Sequence, residues 1–199
     1  GLQGILPKRS MQGVSWVRPL LGVWREDLRE CLRFRDLGWR EDETNADPVH
    51  LRNRIRLELL PFLESEYQPN LKSLLSQLAE SLQADRQWIE QCAEDLWPRI
   101  CAGEEAGSEF GECTVILQRP ELLDQPEALR RELLRHAVRR VMGREKRLTY
   151  THWLALSSLV ESEAGARILE LPLGVRALRQ RERVYIGPAR MIESKVQSK

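Results

Sequence analysis

The four cysteines, Cys31, Cys92, Cys101 and Cys113, include no CxxC pair, and the three histidines, His50, His136 and His152, lie at ligand spacing from neither one another nor a cysteine. Zinc needs such close pairs, so no metal site is expected, and unpaired thiols fit a reducing compartment. No apolar run approaches the roughly 20 residues that a bilayer-spanning helix requires, and no secretory signal opens the chain. A membrane partner is thereby excluded and a cytoplasmic location expected. Glycine-containing loops fall at Gly103–Gly111 and Gly174, yet neither has the strand-to-helix context in which backbone amides cradle phosphate. Net charge is lacking too, since 31 Lys and Arg offset 30 Asp and Glu. There is no initiator methionine; GLQGILPKRS is a loop-like start that reads as a cut from something larger.

What the chain has is segregated charge and helical periodicity. At 199 residues it can bury a real core, and two small units are expected. Eight Lys or Arg lie between Arg130 and Arg147 against Glu132 and Glu145, whereas Glu80 to Glu112 is mainly acidic. A basic helix facing away from an acidic one suggests a polyanion partner, and a solvated face fits the same pattern. Val17–Leu21 reads as a short extended piece, and Trp24–Gly38 as a helix stopped by a left-handed Gly38. Pro69 opens a long amphipathic helix to about Cys101, with a stripe running from Leu71 through Ala93 and Trp97 to Ile100. Residues 102–112 read as a loop, 113–117 as a strand, Pro126–Met142 as a helix capped by Gly143, and Thr151–Glu161 as a helix. From Arg167 to Gly187 the period changes to alternation around two turn signals, giving a small β-ribbon, and the tail after Pro188 is expected to fray. Trp88, Trp97 and Trp153 fall on helical stripes and read as core, with Trp16, Trp24 and Trp39 serving packing. His136 and His152 lack a neighbouring nucleophile and read as structural or surface residues.

The densest chemistry lies in DETNADPVHLRNRIRLELLP, residues 42–61. Asp47 can cap a helix that begins near Pro48, because its carboxylate accepts from free amides and proline fits a first turn. On that helix Leu51, Ile55, Leu59 and Leu60 share an apolar stripe, while Arg52 and Arg56 project along a second face beside Asn53. Guanidinium forks suit phosphate or carboxylate oxygens, and Asp42 and Asn45 either orient those forks or contact a ligand themselves. An internal reading is equally open, in which Asp42 pairs with Arg52 or Arg56 and ties a loop to the helix.

These pieces, in this order, resemble the tRNA(Ile)-lysidine synthetase family. The resemblance rests on a GLxGI loop at Gly1, Leu2, Gly4 and Ile5, followed by Pro7, Lys8 and Arg9; on RPLL at Arg18–Leu21; and on the acidic WREDETNAD segment. Most specific is RNxIRxxLLP, matched by Arg52, Asn53, Ile55, Arg56, Leu59, Leu60 and Pro61, and LPLGVRALR near the end also fits. It covers nearly the whole chain, most strongly residues 1–67.

The resemblance implies a mainly α fold with a small β component: the end of an α/β PP-loop nucleotide-binding domain at 1–67, a helical tRNA-contacting domain with a terminal β-ribbon at 68–187, and a flexible tail at 188–199. It implies a cytoplasmic ligase that uses ATP, with Mg2+, to adenylate the wobble cytidine of an isoleucine tRNA bearing a CAU anticodon. Free lysine then displaces AMP, and codon reading changes from AUG to AUA. In that picture Arg52, Asn53 and Arg56 support the catalytic cleft, Asp42, Asn45, Lys8 and Arg9 bind substrate, and Arg131, Arg135 and Arg139 contact tRNA. A homodimer is compatible with it. The family's SGGxDS phosphate loop and its His- and Asp-rich cleft segment are missing here, so the chain alone is expected to bind tRNA and not to catalyse, and to hold neither ATP nor a metal by itself. The other reading is a self-standing RNA-binding or helical interaction module.

Overall fold

The computed structural model describes residues 4–197 except 12, 108–111, 144–147 and 164, and leaves the side chains of residues 9–11, 43, 46 and 197 undescribed. Gly1 and Leu2 of the GLxGI pattern, Arg144, Lys146 and Arg147 of the basic series, and the Arg9 side chain therefore lie outside the described residues. The chain divides into two compact units, Gly1–Asp85 and Arg86–Lys199. It is mainly helical, with a two-stranded and a five-stranded antiparallel sheet.

The first unit opens with a hairpin, β1 (Lys8–Met11) and β2 (Val14–Val17), whose turn carries Gly13 at φ 77°. Strand therefore replaces the loop-like start, and the extended piece expected over Val17–Leu21 is a turn beyond Val17, where Leu21 N–H bonds the Arg18 carbonyl. Helix α1 (Arg25–Phe34) ends earlier than the sequence suggests. Its left-handed residue is Asp36 at φ 50°, not Gly38, and Leu37 N–H closes the end on the Leu32 carbonyl at 3.0 Å.

The arginine helix also starts late. Asp47 accepts from Val49 N–H at 2.9 Å and forms a turn, and α2 (Leu51–Arg54) begins after it, with His50 in the extended cap position. A single π-turn, Ile55–Leu59, then joins α2 to α3 (Leu60–Glu66). Pro61 explains it: proline has no N–H for the Leu57 carbonyl and its ring presses on that group, so the coil widens and Leu60 N–H bonds Ile55 instead. The apolar stripe fails as a core face, since Leu51, Ile55 and Leu59 are exposed. Asn53 is the only buried side chain among the described residues of this unit.

Helix α4 (Leu71–Ile100) runs close to its expected span. In the second unit, β3 (Cys101–Ala106) takes the place of the expected loop, because its backbone pairs along β4 (Cys113–Gln118). There follow α5 (Arg119–Leu123), α6 (Glu127–Met142) and α7 (Tyr150–Glu161), then β5 (Arg167–Leu171), β6 (Val175–Gln180), β7 (Arg183–Pro188) and α8 (Ala189–Gln197). Gly143 at φ 65° ends α6 where the sequence places the stop. The ribbon β5–β6–β7 is not free-standing: β7 pairs with β4, giving the order β3-β4-β7-β6-β5.

Both faces of this sheet are covered. Val115, Leu117, Val184, Ile186 and Ala177 pack with Leu133, Ala137 and Val138 of α6, Trp153, Leu156 and Val160 of α7, and Ala93, Trp97 and Ile100 of α4. Each Val, Leu or Ile side chain among them contributes about 1.5–3 kcal/mol on burial. Of the residues expected to fray, 189–197 are helical instead. Ile192 of α8 is fully buried, Thr114 Oγ1 lies 3.5 Å from Met191 Sδ, and Lys195 pairs with Glu105 at 2.6 Å, so α8 is held against the sheet by apolar and ionic contacts together.

Candidate functional site

In the first unit, residues 42–56 form a loop clamped onto a helix. The Asp42 carboxylate accepts from Thr44 Oγ1 at 2.7 Å and Thr44 N–H at 3.0 Å, starting a short 3-10 turn over Glu43–Ala46. Those bonds, the hydroxyl's first, hold its pKa below the ordinary 3.8. Asn53 Nδ2 donates to the Thr44 and Asp47 carbonyls, both at 2.8 Å, and Arg56 donates to the Asn45 carbonyl. The loop is thus tied to the helix, as the internal reading anticipates, but by different groups. Asp42 pairs with neither arginine among the described residues; backbone carbonyls take that place, and Asn45 contributes its carbonyl.

Arg52 is different. It is exposed and has no side-chain partner among the described residues, while Arg54 lies 4.0 Å from Glu58. The two guanidiniums expected to act together are therefore separated in role: Arg56 is engaged and half-buried, Arg52 is available. A π-turn beside such a residue is a frequent companion of functional sites.

A cavity of about 530 Å³ lies elsewhere in this unit, lined among others by Ile5, Lys8, Arg18, Leu21, Glu80 and Gln83. Arg18 donates to the Leu6 carbonyl at 3.1 Å and its N–H bonds the Pro7 carbonyl at 2.8 Å, which fixes the loop before β1. Lys8 thus faces a cavity of mixed apolar and charged lining. Arg18 carries a sequence signal in RPLL, whereas Glu80 and Gln83 carry none. A second latch joins Glu41 to the Trp39 indole N–H at 3.2 Å and to Arg29, and these two donors hold the Glu41 carboxyl below its usual range.

In the second unit the basic helix is folded into ion pairs. Glu132, 3% exposed, receives Arg86 of α4 at 2.9 Å, Arg135 at 3.6 Å and Arg139. Arg131 pairs with Glu127, Arg130 with Glu161 at 3.2 Å, and Arg140 with Glu104 at 3.0 Å. The helix therefore engages Glu104 of β3 and Glu161 of α7, and its own Glu132 takes Arg86 of α4, where the sequence suggests that it faces away from the acidic Glu80–Glu112 stretch. Burial pushes the Glu132 carboxyl up, and the three guanidiniums oppose that. His136 stacks on Trp97 with ring centroids 4.3 Å apart, and burial followed by the charges of Arg140 and Arg139 lowers its pKa below 6.5. His152 accepts from Thr149 N–H at 3.0 Å and completes a capping box at the start of α7.

Residues 1–63 match the PP-loop domain family. The chain is 33% identical over 174 residues to the tRNA(Ile)-lysidine synthase of Thermosynechococcus vestitus, covering 87% of this chain and 47% of that protein. It is 34% identical to that of Symbiobacterium thermophilum, covering 88% of this chain and 36% of the relative, and 36% identical to that of Geobacter sulfurreducens, covering 80% and 32%. This chain is a homologue of tRNA(Ile)-lysidine synthases. It spans 32–47% of the length of these relatives.

The matched stretches, 160–176 residues long, exceed either unit, so the homology extends into both. Among the described residues, no three His, Cys, Asp or Glu side chains gather so as to hold a metal, and no helix is long and apolar enough to cross a membrane. Sequence reasoning missed Tyr150, which stands exposed at the first turn of α7 beside a groove of about 450 Å³. Its only signal is position, one residue after the Thr149 cap.

Proposed function

We propose that this chain is the part of a tRNA(Ile)-lysidine synthase that carries the end of its PP-loop domain and its helical tRNA-contacting domain. The whole enzyme, in this reading, adenylates the wobble cytidine of isoleucine tRNA with a CAU anticodon, and the amino group of free lysine then displaces AMP to form the new C–N bond. The observation that carries the reading is identity of 33–36% over 80–88% of the chain to proteins of that name. Exposed apolar side chains on the first unit, where Asn53 alone is buried among the described residues, support packing against further parts of the same domain.

The residues present do not fit ATP phosphates. Gly103 lies within β3 and Gly174 in the β5–β6 turn, so neither opens a helix that could receive an anion. In this reading the chain alone is inactive in adenylation. Its own residues bind and position. Arg52 offers a free fork to a tRNA phosphate, Asn53 and Arg56 hold the 42–50 loop beside it, and Asp42 and Asn45 shape that loop. Lys8 faces substrate on the hairpin side, and Arg9 joins it in binding substrate. Arg131, Arg135 and Arg139 reach tRNA phosphates by exchanging a carboxylate partner for a phosphate, and the protein works in the cytoplasm.

Binding of the 199-residue chain to unmodified isoleucine tRNA with a CAU anticodon, against elongator methionine tRNA at several salt concentrations, tests the proposal. Tighter, salt-dependent binding to the isoleucine species is expected. Indiscriminate or absent binding would remove tRNA selection from this part of the enzyme.

A further inference from the structure

The groove between α6 and α7 sets aromatic rings between two ion-paired carboxylates, Glu127 held by Arg131 and Glu161 held by Arg130. Its floor is Trp153, 8% exposed, with the Arg135 guanidinium 5.4 Å from the ring centroid. Its rim is Tyr150, 68% exposed, and Leu154 one turn further along α7. Arg131 stands on the α6 wall, and Ser157 and Ser158 line the far end, their hydroxyls without side-chain partners among the described residues. The volume of about 450 Å³ falls within the 300–1,000 Å³ range of small-ligand sites.

Tyr150 projects from a fixed backbone turn. The capping box of Thr149 and His152 pins the first turn of α7, with Thr149 Oγ1 2.8 Å from His152 Nδ1. An exposed aromatic ring on a rigid turn, a guanidinium across from it and free hydroxyls beyond match the chemistry of a planar, polar ring attached to a phosphate. An amphipathic helix from a protein partner would need a longer apolar stripe than Tyr150 and Leu154 provide.

We propose that the α6–α7 groove receives one unstacked base of single-stranded RNA, laid on the Tyr150 ring, with its adjoining phosphate on Arg131. This rests on the reading of the chain as part of a tRNA-modifying enzyme and adds to it a specific contact outside the 42–56 loop. Arg131 keeps Glu127 as its resting partner and turns to the phosphate when RNA is present.

The test uses the full 199-residue chain and two probes: unmodified isoleucine tRNA, and a single-stranded RNA carrying one 2-aminopurine, a base whose fluorescence is quenched by stacking. Tyr150→Ala should weaken binding of both probes about five- to hundredfold and abolish the quenching, whereas Tyr150→Phe, which keeps the ring, should retain both. Because Tyr150 is mostly solvent-exposed, the melting curve of either variant should match the parent. Arg131→Gln should flatten the salt slope by about one phosphate and leave the quenching in place. If the parent chain binds RNA and Tyr150→Ala binds it equally well, the groove assignment fails while the broader function stands. Equal loss for Tyr150→Phe and Tyr150→Ala would also overturn stacking, and absence of RNA binding by the parent would overturn both readings.

Discussion

Replacing Asn53 by alanine isolates the clamp that holds the 42–50 loop. The Asn53 amide is 8% exposed and donates to two carbonyls, Thr44 and Asp47, at 2.8 Å each. A neutral hydrogen bond contributes about 0.5–1.5 kcal/mol net, and a carbonyl left unpaired in a partly buried site costs more than one that regains water. Two bonds lost together should destabilise the closed loop by about 2 kcal/mol, which is a roughly thirtyfold rise in its opening constant. Hydrogen exchange reads this directly. The amides of Asn45 and Asp47, which bond to the Asp42 and Thr44 carbonyls, should exchange about thirtyfold faster, while amides of α6 should be unchanged. Arg56→Gln should speed the same amides by less than an additive amount when combined with Asn53→Ala, since both side chains restrain one loop. Parent-like exchange at Asn45 and Asp47 in Asn53→Ala would refute the clamp and return the residue to a packing role.

Removing the Glu132 carboxylate with Glu132→Ala should destabilise the second unit by about 2–3 kcal/mol in thermal melts, less than for a fully buried network because its three guanidiniums are 23–39% exposed. His136, with a pKa held below 6.5, confers stability that is complete above pH 6.5 and is lost as pH falls through its folded value. His136→Phe, which keeps a ring on Trp97, should therefore lose less melting temperature than the parent between pH 7.5 and 5.5; equal losses would exclude this histidine as the cause. Asp42, with a lowered pKa, contributes above 3.8 and releases its turn as pH falls below that, so Asp42→Asn should abolish the acid-dependent rise in exchange at Thr44. Arg52→Ala should leave melting curves unchanged and lower tRNA affinity, and unchanged affinity would remove it from the binding surface.

What the sequence reveals and conceals divides along a physical line. Elements whose signal is local are legible: α6 and α7 from their period and the Gly143 stop, β4 from its run of CTVIL, and the β5–β7 ribbon from alternation around turn residues. Elements that exist because of partners are not. The segment CAGEEA has two alanines, a glycine and two acids, and becomes β3 only because β4 lends it a ladder. ARMIESKVQ is short and polar, and is held as α8 by burying Ile192 on the sheet. The tryptophans show the same limit. Trp97 and Trp153 are buried at 8%, whereas Trp88, on the same helix as Trp97, is 71% exposed, and Trp16, Trp24 and Trp39 are also exposed. Helical period tells which residues share a face but not whether another element covers it. At RNRIR the consequence is functional. The pattern identifies three polar residues at the right spacing, yet only the Asn45, Thr44 and Asp47 carbonyls, brought over by a loop that the sequence does not place, separate Asn53 and Arg56 as the holders from Arg52 as the free hand. Proline supplies the last step: Pro61 favours the π-turn at Ile55–Leu59, and that wider turn carries Arg56, so Pro61→Ala should tighten the turn and loosen the Arg56 hold on the loop, read as faster exchange at the Asn45 amide, whereas parent-like exchange there would remove Pro61 from the clamp.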